Sequence, residues 1–320
     1  MSAPANSPFG EKPYSACRLC PRRCGADRDG GKTGFCGMTA APRAARSALH
    51  FWEEPPISGE SGSGAIFFSG CTLRCVFCQN HEISTGGFGV EVTLERIAGM
   101  MLDLQGQGAN NINLVTALHF APTVRESVLL AREKGLALPI VCNTGGYELV
   151  DTVRAMADVV DVWLPDFKYA DPALAGSLSC ARDYPEVAAS ALAEMISAVE
   201  AAGGRLVDDD GLMRRGVIVR HLMLPGHLDD TLRVLERVWG IAGNSCDLSL
   251  MNQYTPSEEC RRAGGDLARA ITEDEYEIAL CHADDLGFER IWWQEGGTVS
   301  ESFVPAFDAT GVEGPELPRA

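Results

Sequence analysis

The sequence predicts an α/β fold, a partial (β/α)6 TIM-like barrel preceded by a small N-terminal four-cysteine metal module. Three observations predict it: short apolar runs alternating with amphipathic stretches, a cysteine-dense segment at residues 17–36, and a Pro/Gly/Ser-rich connector, EEPPISGESGSG, at residues 53–64. A chain of 320 residues, 46% hydrophobic, can bury a sizeable core as one large domain plus a small module. The expected division is a cysteine-rich metal module and linker over 1–60, the barrel over 61–270, and a helix/strand extension with an acidic tail over 271–320.

The elements follow in order. AIFF (65–68), NINLV (111–115), LPIVC (138–142), VVDVWL (159–164), GVIVRHLML (216–224) and DLSLM (247–251) read as strands, with ERIWW (289–293) a candidate seventh. Parallel strands covered on both faces run continuously apolar, as most of these do. Between them TLERIAGMMLDLQ, TVRESVLLAREKG, YELVDTVRAMA, EVAASALAEMISAVEAAGG and DDTLRVLERVWG place apolar residues at i, i+3 and i+4, the spacing of a helix with one buried face. RLVDDDGLMRRG (205–216) breaks the alternation, and its Asp-Gly between short runs predicts a hairpin excursion before the fifth strand. An open doubly wound sheet is the other architecture such runs support, and in both, ligands gather at the carboxyl ends of the strands. Cys71, Cys75 and Cys78 fall after the first strand, Thr116 and His119 after the second, Asn143 and Thr144 after the third, Asp166 and Lys168 after the fourth.

Charge narrows the partners. The chain carries 27 Lys and Arg against 44 Asp and Glu, a net charge of −17, which repels polyanions and argues against nucleic-acid binding. The distribution is uneven, since residues 11–50 hold eight basic side chains against Glu11, Asp27 and Asp29. That basic island (Arg18, Arg22, Arg23, Arg28, Lys32, Arg43, Arg46) is expected to dock an acidic partner. No secretory pattern opens the sequence and no window has the roughly 18 uninterrupted apolar residues of a membrane span, so a cytoplasmic location is expected.

Seven of the 12 cysteines lie in two tight clusters, which in a cytosolic chain points to metal rather than disulfides. The first, CRLCPRRCGADRDGGKTGFC, spaces Cys17, Cys20, Cys24 and Cys36 as C-x2-C-x3-C-x11-C. Four thiolates close a coordination sphere and suit Zn2+, a single iron or an auxiliary iron–sulfur cluster, with zinc slightly favoured. Its GGKTG resembles a phosphate loop, but Ala26 stands where that loop needs glycine and no strand precedes it. The second cluster, CTLRCVFCQN, gives Cys71, Cys75 and Cys78 as C-x3-C-x2-C after a strand and Gly70. A cubane [4Fe-4S] cluster has four irons, so three thiolates leave one iron open to a reactant.

C-x3-C-x-aromatic-C after the first strand of a β/α chain, with Phe77 as the aromatic residue, resembles the radical S-adenosylmethionine (SAM) superfamily. The resemblance implies that the open iron chelates the amino and carboxylate groups of SAM and that reductive cleavage yields a 5′-deoxyadenosyl radical for hydrogen abstraction. PIVCNTGGY, VDVWLPDFKY and VRHLMLPG look like strand ends of pyruvate formate-lyase activating enzymes and of little-characterised activating-enzyme-like proteins. By that resemblance Asn143, Thr144, Asp166, Lys168 and His221 lie around SAM or the substrate. Asp166, Lys168 and His221 are expected as catalytic groups, and Phe77, Thr116, His119, Asn143 and Thr144 as cofactor-binding ones. The second strand ends in VTALHF, not the Gly-Gly-Glu of the activating enzymes, so Thr116 and His119 are the candidates for that contact. The implied function is glycyl-radical activation of a protein or peptide substrate; on its charge, the basic island is then expected to dock either an acidic flavodoxin or ferredoxin electron donor or that protein substrate. A small-molecule substrate, and a non-catalytic iron–sulfur electron carrier or metal sensor, are the alternatives.

Overall fold

The computed structural model describes residues 7–294 and 304–314. Residues 7–42 contain no helix or strand; successive turns hold Tyr14, Cys17 and Leu19 in a small cluster with Phe9 and Ala40 packed against it. The chain then enters β1 (Arg43–His50), the short helix α1 (Pro55–Ser58) and β2 (Ser63–Phe68). β1 lies in the stretch read as module and linker, and it pairs antiparallel with β2. The linker thus contributes a strand to the main sheet.

After β2 come α2 (His81–Ser84) and β3 (Val90–Glu91), followed by α3 (Leu94–Gly106), β4 (Ile112–Val115), α4 (Ala121–Glu133), β5 (Ile140–Thr144) and α5 (Val150–Met156). Thr93 caps α3, its hydroxyl accepting from the Arg96 N–H. β6 (Val162–Pro165) leads into α6 (Pro172–Ser179), capped by Asp171, and α7 (Tyr184–Ala201). The expected hairpin is β7 (Leu206–Val207) against β8 (Met213–Leu222), turning at Asp208–Gly211. Next are α8 (Leu228–Ala242), β9 (Asp247–Met251), α9 (Glu258–Ala263), α10 (Glu273–Leu286) and β10 (Ile291–Trp293). A reciprocal Thr272/Glu275 capping box starts α10. Among the described residues no helix is long and apolar enough to cross a membrane.

The sheet runs β10-β9-β8-β6-β5-β4-β2-β1-β3, and all neighbours from β2 to β10 are parallel. Consecutive β/α units add each parallel strand on the same side of the last, with no reversal of order. Crossovers of one hand then place their helices on one face, which gives a partial barrel rather than a doubly wound sheet. Alternation along the strands confirms the two faces. Ile66, Phe68, Ile112, Leu114, Ile140, Cys142, Trp163, Val217, Val219, Leu248 and Leu250 join the main core with the helices, whereas Ile57, Val141, Val162, Leu164, Met213 and Ile218 form a separate cluster inside. That inner apolar layer floors the barrel, and the polar residues described next stand above it.

Residues 304–314, part of the expected acidic tail, pack on β1 and β2: Ser47 N–H donates to the Thr310 carbonyl, and Phe307 meets Phe67 of β2 edge-on at 5.6 Å.

Candidate functional site

β2 delivers its chain to Ser69 and Gly70, and the three cysteines follow. Gly70 has φ +85°, and a Cβ there would lie 2.7 Å from the Cys36 carbonyl oxygen and 2.5 Å from Met38 Cγ. Only glycine lets the N-terminal module sit this close to the loop. The loop is tied down by the Gly70 N–H to the Ile83 carbonyl and the Val76 N–H to the Leu178 carbonyl, both 2.9 Å. Each sulfur receives a hydrogen bond: Cys71 Sγ from the Leu73 N–H at 3.4 Å, Cys75 Sγ from Ser179 Oγ at 2.9 Å, Cys78 Sγ from Ser84 Oγ at 3.3 Å. Burial pushes the Cys71 thiol up, with Cys75 and Cys78 adding to the shift and Lys168 opposing it. Burial likewise raises Cys75, and Lys168 pulls it down. Three mutually repelling sulfurs, each met by a donor and with a cation nearby, fit the charge of an iron–sulfur cluster bound through thiolates. Phe77 is buried between the edges of Tyr169 and Tyr254, with ring centroids at 6.5 and 6.3 Å.

Beside this loop the inner face carries an ion network. Lys168 Nζ is 2.5 Å from Asp166 Oδ2, and Arg220 Nε donates to Asp166 Oδ1 at 3.0 Å. Arg220 also donates to Glu53 Oε2 at 3.2 Å and to Asn143 Oδ1 at 2.6 Å. Glu53 Oε1 accepts from Asn113 and Asn143 at 2.9 and 3.2 Å. Burial works against the Asp166 carboxylate, but Arg220 and Lys168 outweigh it and hold its pKa below the ordinary value. Lys168 is shifted up: burial opposes its charge, and Asp166 and Cys75 overcome that opposition. Glu54 is raised, because its burial outweighs the pull of Arg220.

Arg220, Glu53, Glu54 and Asn113 were not among the expected site residues. Arg220 had a signal, a charge inside the apolar run GVIVRHLML. Glu53 and Glu54 had little, since they merely open the Pro/Gly/Ser-rich connector EEPPISGESGSG.

The other expected residues divide. Asn143 faces the ion network. Thr116 closes β4 in the left-handed region, φ +56°, its N–H donating to the Asn143 carbonyl at 2.8 Å. Thr144 points to the other side of β5, its hydroxyl on Glu148 at 2.5 Å. His119 is buried behind the cysteine loop, with Nε2 2.9 Å from the Ser69 carbonyl oxygen. Burial, then Arg28, pushes its pKa down to about 3, so its ring is neutral. His221 departs most from expectation. Adjacent residues on a strand face opposite ways, and while Arg220 turns inward, His221 turns toward the helices. There Nδ1 meets the Phe167 carbonyl at 2.7 Å and Nε2 meets Thr231 Oγ1 at 3.0 Å.

In the N-terminal segment Cys17, Cys20 and Cys36 are buried and Cys24 is exposed. A Cβ on Gly34 would lie 3.3 Å from Cys24 Sγ and 3.5 Å from Cys36 Sγ, so these two sulfurs flank Gly34 closely. Among the described residues, these four cysteines and the Cys71, Cys75 and Cys78 loop included, no group of three or more His, Cys, Asp and Glu side chains is already drawn together around a metal position. Two arginines of the basic island join the module to the barrel. Arg22 donates to the carbonyls of Thr72 (2.8 Å), Ser179 (3.2 Å) and Cys180, with Phe35 and Tyr147 rings at 4.0 and 5.0 Å. Arg28, 1% exposed, donates to the carbonyls of Thr39 and His119. Arg43 and Arg46 pair with Glu91 and Asp308. Four of the seven island cations are therefore engaged within the chain, while Arg18, Arg23 and Lys32 are exposed.

A family model, Radical SAM superfamily, matches residues 65–238, more than half of the chain. An uncharacterized protein of Methanocaldococcus jannaschii is 26% identical over 291 residues, covering 87% of this chain and 77% of its own. Among solved structures, a radical SAM methyltransferase from Sphaerobacter thermophilus aligns with a TM-score of 0.52 at 17% identity, covering 75% of this chain and 69% of that one. SuiB from Streptococcus suis, solved with the precursor peptide SuiA, aligns with a TM-score of 0.50 at 10% identity, covering 71% of this chain. This chain matches 47% of the length of SuiB, and at such identities the two structures speak for the fold alone.

Proposed function

The chain belongs to the radical SAM superfamily, and from that membership we propose that it is an activating-enzyme-like hydrogen-abstracting enzyme whose [4Fe-4S] cluster is held by Cys71, Cys75 and Cys78. The carrying observation is the placement of these three thiols in one loop at the end of β2, within electrostatic reach of Lys168. With SAM, such a cluster supplies a 5′-deoxyadenosyl radical. The chain's own residues do the rest. Asn143 and the Asp166–Lys168 pair shape the SAM or substrate pocket, Thr116 turns the chain where the activating enzymes carry an acidic residue, and Phe77 wedges the loop against Tyr169 and Tyr254. Arg220 and Glu53 hold Asp166 and Asn143 from below. Thr144, His119 and His221 support the site from behind.

Glycyl-radical activation of a protein substrate is the reading that the NTGGY, PDFKY and MLPG strand ends favour. A small-molecule substrate is the second reading, favoured by the VTALHF turn at Thr116. The Cys17, Cys20, Cys24 and Cys36 module is proposed to bind a second metal, Zn2+ or iron, which would hold a segment without helix or strand in shape. An acidic flavodoxin or ferredoxin is the proposed electron donor.

The test is anaerobic turnover with SAM, reductant and candidate substrates deuterated at the reacting position. Deuterium in 5′-deoxyadenosine identifies the substrate and its class. No 5′-deoxyadenosine from iron-replete protein under any reductant defeats the enzymatic reading.

A further inference from the structure

The shortest hydrogen bond to the three sulfurs comes from Ser179, the last residue of α6, which lies about a hundred positions away in sequence. Its Oγ stands 2.9 Å from Cys75 Sγ and 2.6 Å from Tyr169 Oη, and both Ser179 and Tyr169 have no exposed surface. A serine hydroxyl has one hydrogen to give. If that hydrogen goes to sulfur, Tyr169 must donate to Ser179, and the chain reads Tyr169 O–H to Ser179 O–H to Cys75 Sγ. Several contacts hold the helix end in this position. The Leu178 carbonyl accepts the Val76 N–H, Arg22 grips the carbonyls of Ser179 and Cys180, and Cys180 caps α6 in the left-handed region at φ +53°.

We infer that Ser179, aimed by Tyr169, is a positioning residue that raises the reduction potential of the iron–sulfur cluster through Cys75. The inference rests on the cluster assignment proposed above. Hydrogen bonds to ligating sulfur are one of the protein's main controls over cluster potential, and a donor held in a buried setting acts without screening by water. One electron from an external reductant adds negative charge that the thiolate sulfurs share; no bond forms or breaks and no proton moves. The hydroxyl therefore stabilises the reduced form more than the oxidised one. Among the described residues neither of the other two cysteines has a comparable donor, the Cys71 and Cys78 contacts being 3.4 and 3.3 Å.

The experiment is a dithionite titration of the holoprotein followed by electron paramagnetic resonance, with iron and sulfide counted for each variant. Ser179→Ala should shift the reduction equilibrium toward the oxidised form by up to about tenfold, about 59 mV more negative for a one-electron couple. Ser179→Thr, which keeps the hydroxyl, should return most of the shift. Tyr169→Phe should move the potential in the same direction by less, because the serine hydroxyl is then free to turn. Wild-type potentials in Ser179→Ala and Tyr169→Phe at full iron content overturn the inference. So does loss of the cluster from both, which would make the contact purely structural. Failure of the wild type to bind a cluster at Cys71, Cys75 and Cys78 instead defeats the underlying assignment, and iron analysis of the wild type separates the two failures.

Discussion

Arg220 Nη1 lies 3.2 Å from Glu53 Oε2, tying a residue of β8 to one that precedes β2 by ten positions. The pair is nearly out of water, with side chains 14% and 8% exposed. Arg220 also holds Asp166, so one guanidinium serves two carboxylates. Removing one partner of a buried pair leaves an uncompensated charge, which typically costs about 3–5 kcal/mol. Arg220→Met should lower stability by about that amount, and adding Glu53→Gln should recover part of it. Urea unfolding of the single and double variants measures the coupling. Strict additivity would show that the two side chains do not act as a pair.

The cysteine assignment makes a sharper demand. Replacing Cys71, Cys75 and Cys78 with Ala should remove the cluster iron and reduce 5′-deoxyadenosine formation to background. The Cys17→Ala, Cys20→Ala variant should keep the barrel cluster but become more sensitive to protease before residue 43. Reductive SAM cleavage surviving in the triple variant would refute the assignment.

How much of this could be read from sequence depended on whether the signal was local. The parallel strands were legible because their apolar runs are continuous and bounded by turns, and the three-cysteine loop because its spacing is self-contained. β1 was missed because RAARSALH mixes charge, small residues and alanine on an outer, antiparallel strand. The ion network was missed for a different reason: Glu53 and Arg220 meet only when the sheet curls, and nothing near either residue in sequence announces the other. His221 shows how narrow the margin is. The resemblance drew attention to the right strand, but one step along it reverses the face, and Arg220 is the residue turned to the site.

Glu148 should impose a pH dependence on stability. Its carboxyl is buried under Thr144, and burial pushes its pKa up to about 7 from the ordinary 4.5, with the Thr144 hydrogen bond pulling the other way. Between those values the folded protein keeps a proton that the unfolded chain has released. The stability this group contributes is thus greatest below pH 4.5, falls as pH rises toward 7 and is flat above. Glu148→Gln cannot lose that proton and should escape a decline of about 3 kcal/mol. Urea midpoints from pH 4.5 to 8 test this, and parallel curves for the two proteins would contradict it.

The electron donor gives the last prediction, and the structure changes which residues should be mutated. The basic island of residues 11–50 suggested seven cations for an acidic donor, but a guanidinium already bound within the chain has little charge to offer. Arg28 is buried, Arg22 clamps the cysteine loop, and Arg43 and Arg46 are paired with Glu91 and Asp308. Reversing Arg22 or Arg28 would disturb the fold before it disturbed docking, and the charges of Arg43 and Arg46 are already partly neutralised by their partners. Arg18, Arg23 and Lys32 are exposed on the module that packs against Gly70 and the cysteine loop, so a donor seated there would approach the cluster side of a protein whose net charge of −17 repels it elsewhere. The triple reversal Arg18→Glu, Arg23→Glu, Lys32→Glu should slow electron transfer from reduced flavodoxin by at least about tenfold. It should also flatten the dependence on salt up to about 0.5 M, where screening shortens to roughly 4 Å. Turnover driven by dithionite should be unchanged, which separates lost docking from a damaged site. A flavodoxin rate indifferent to both the reversal and the salt would place the donor elsewhere on the surface.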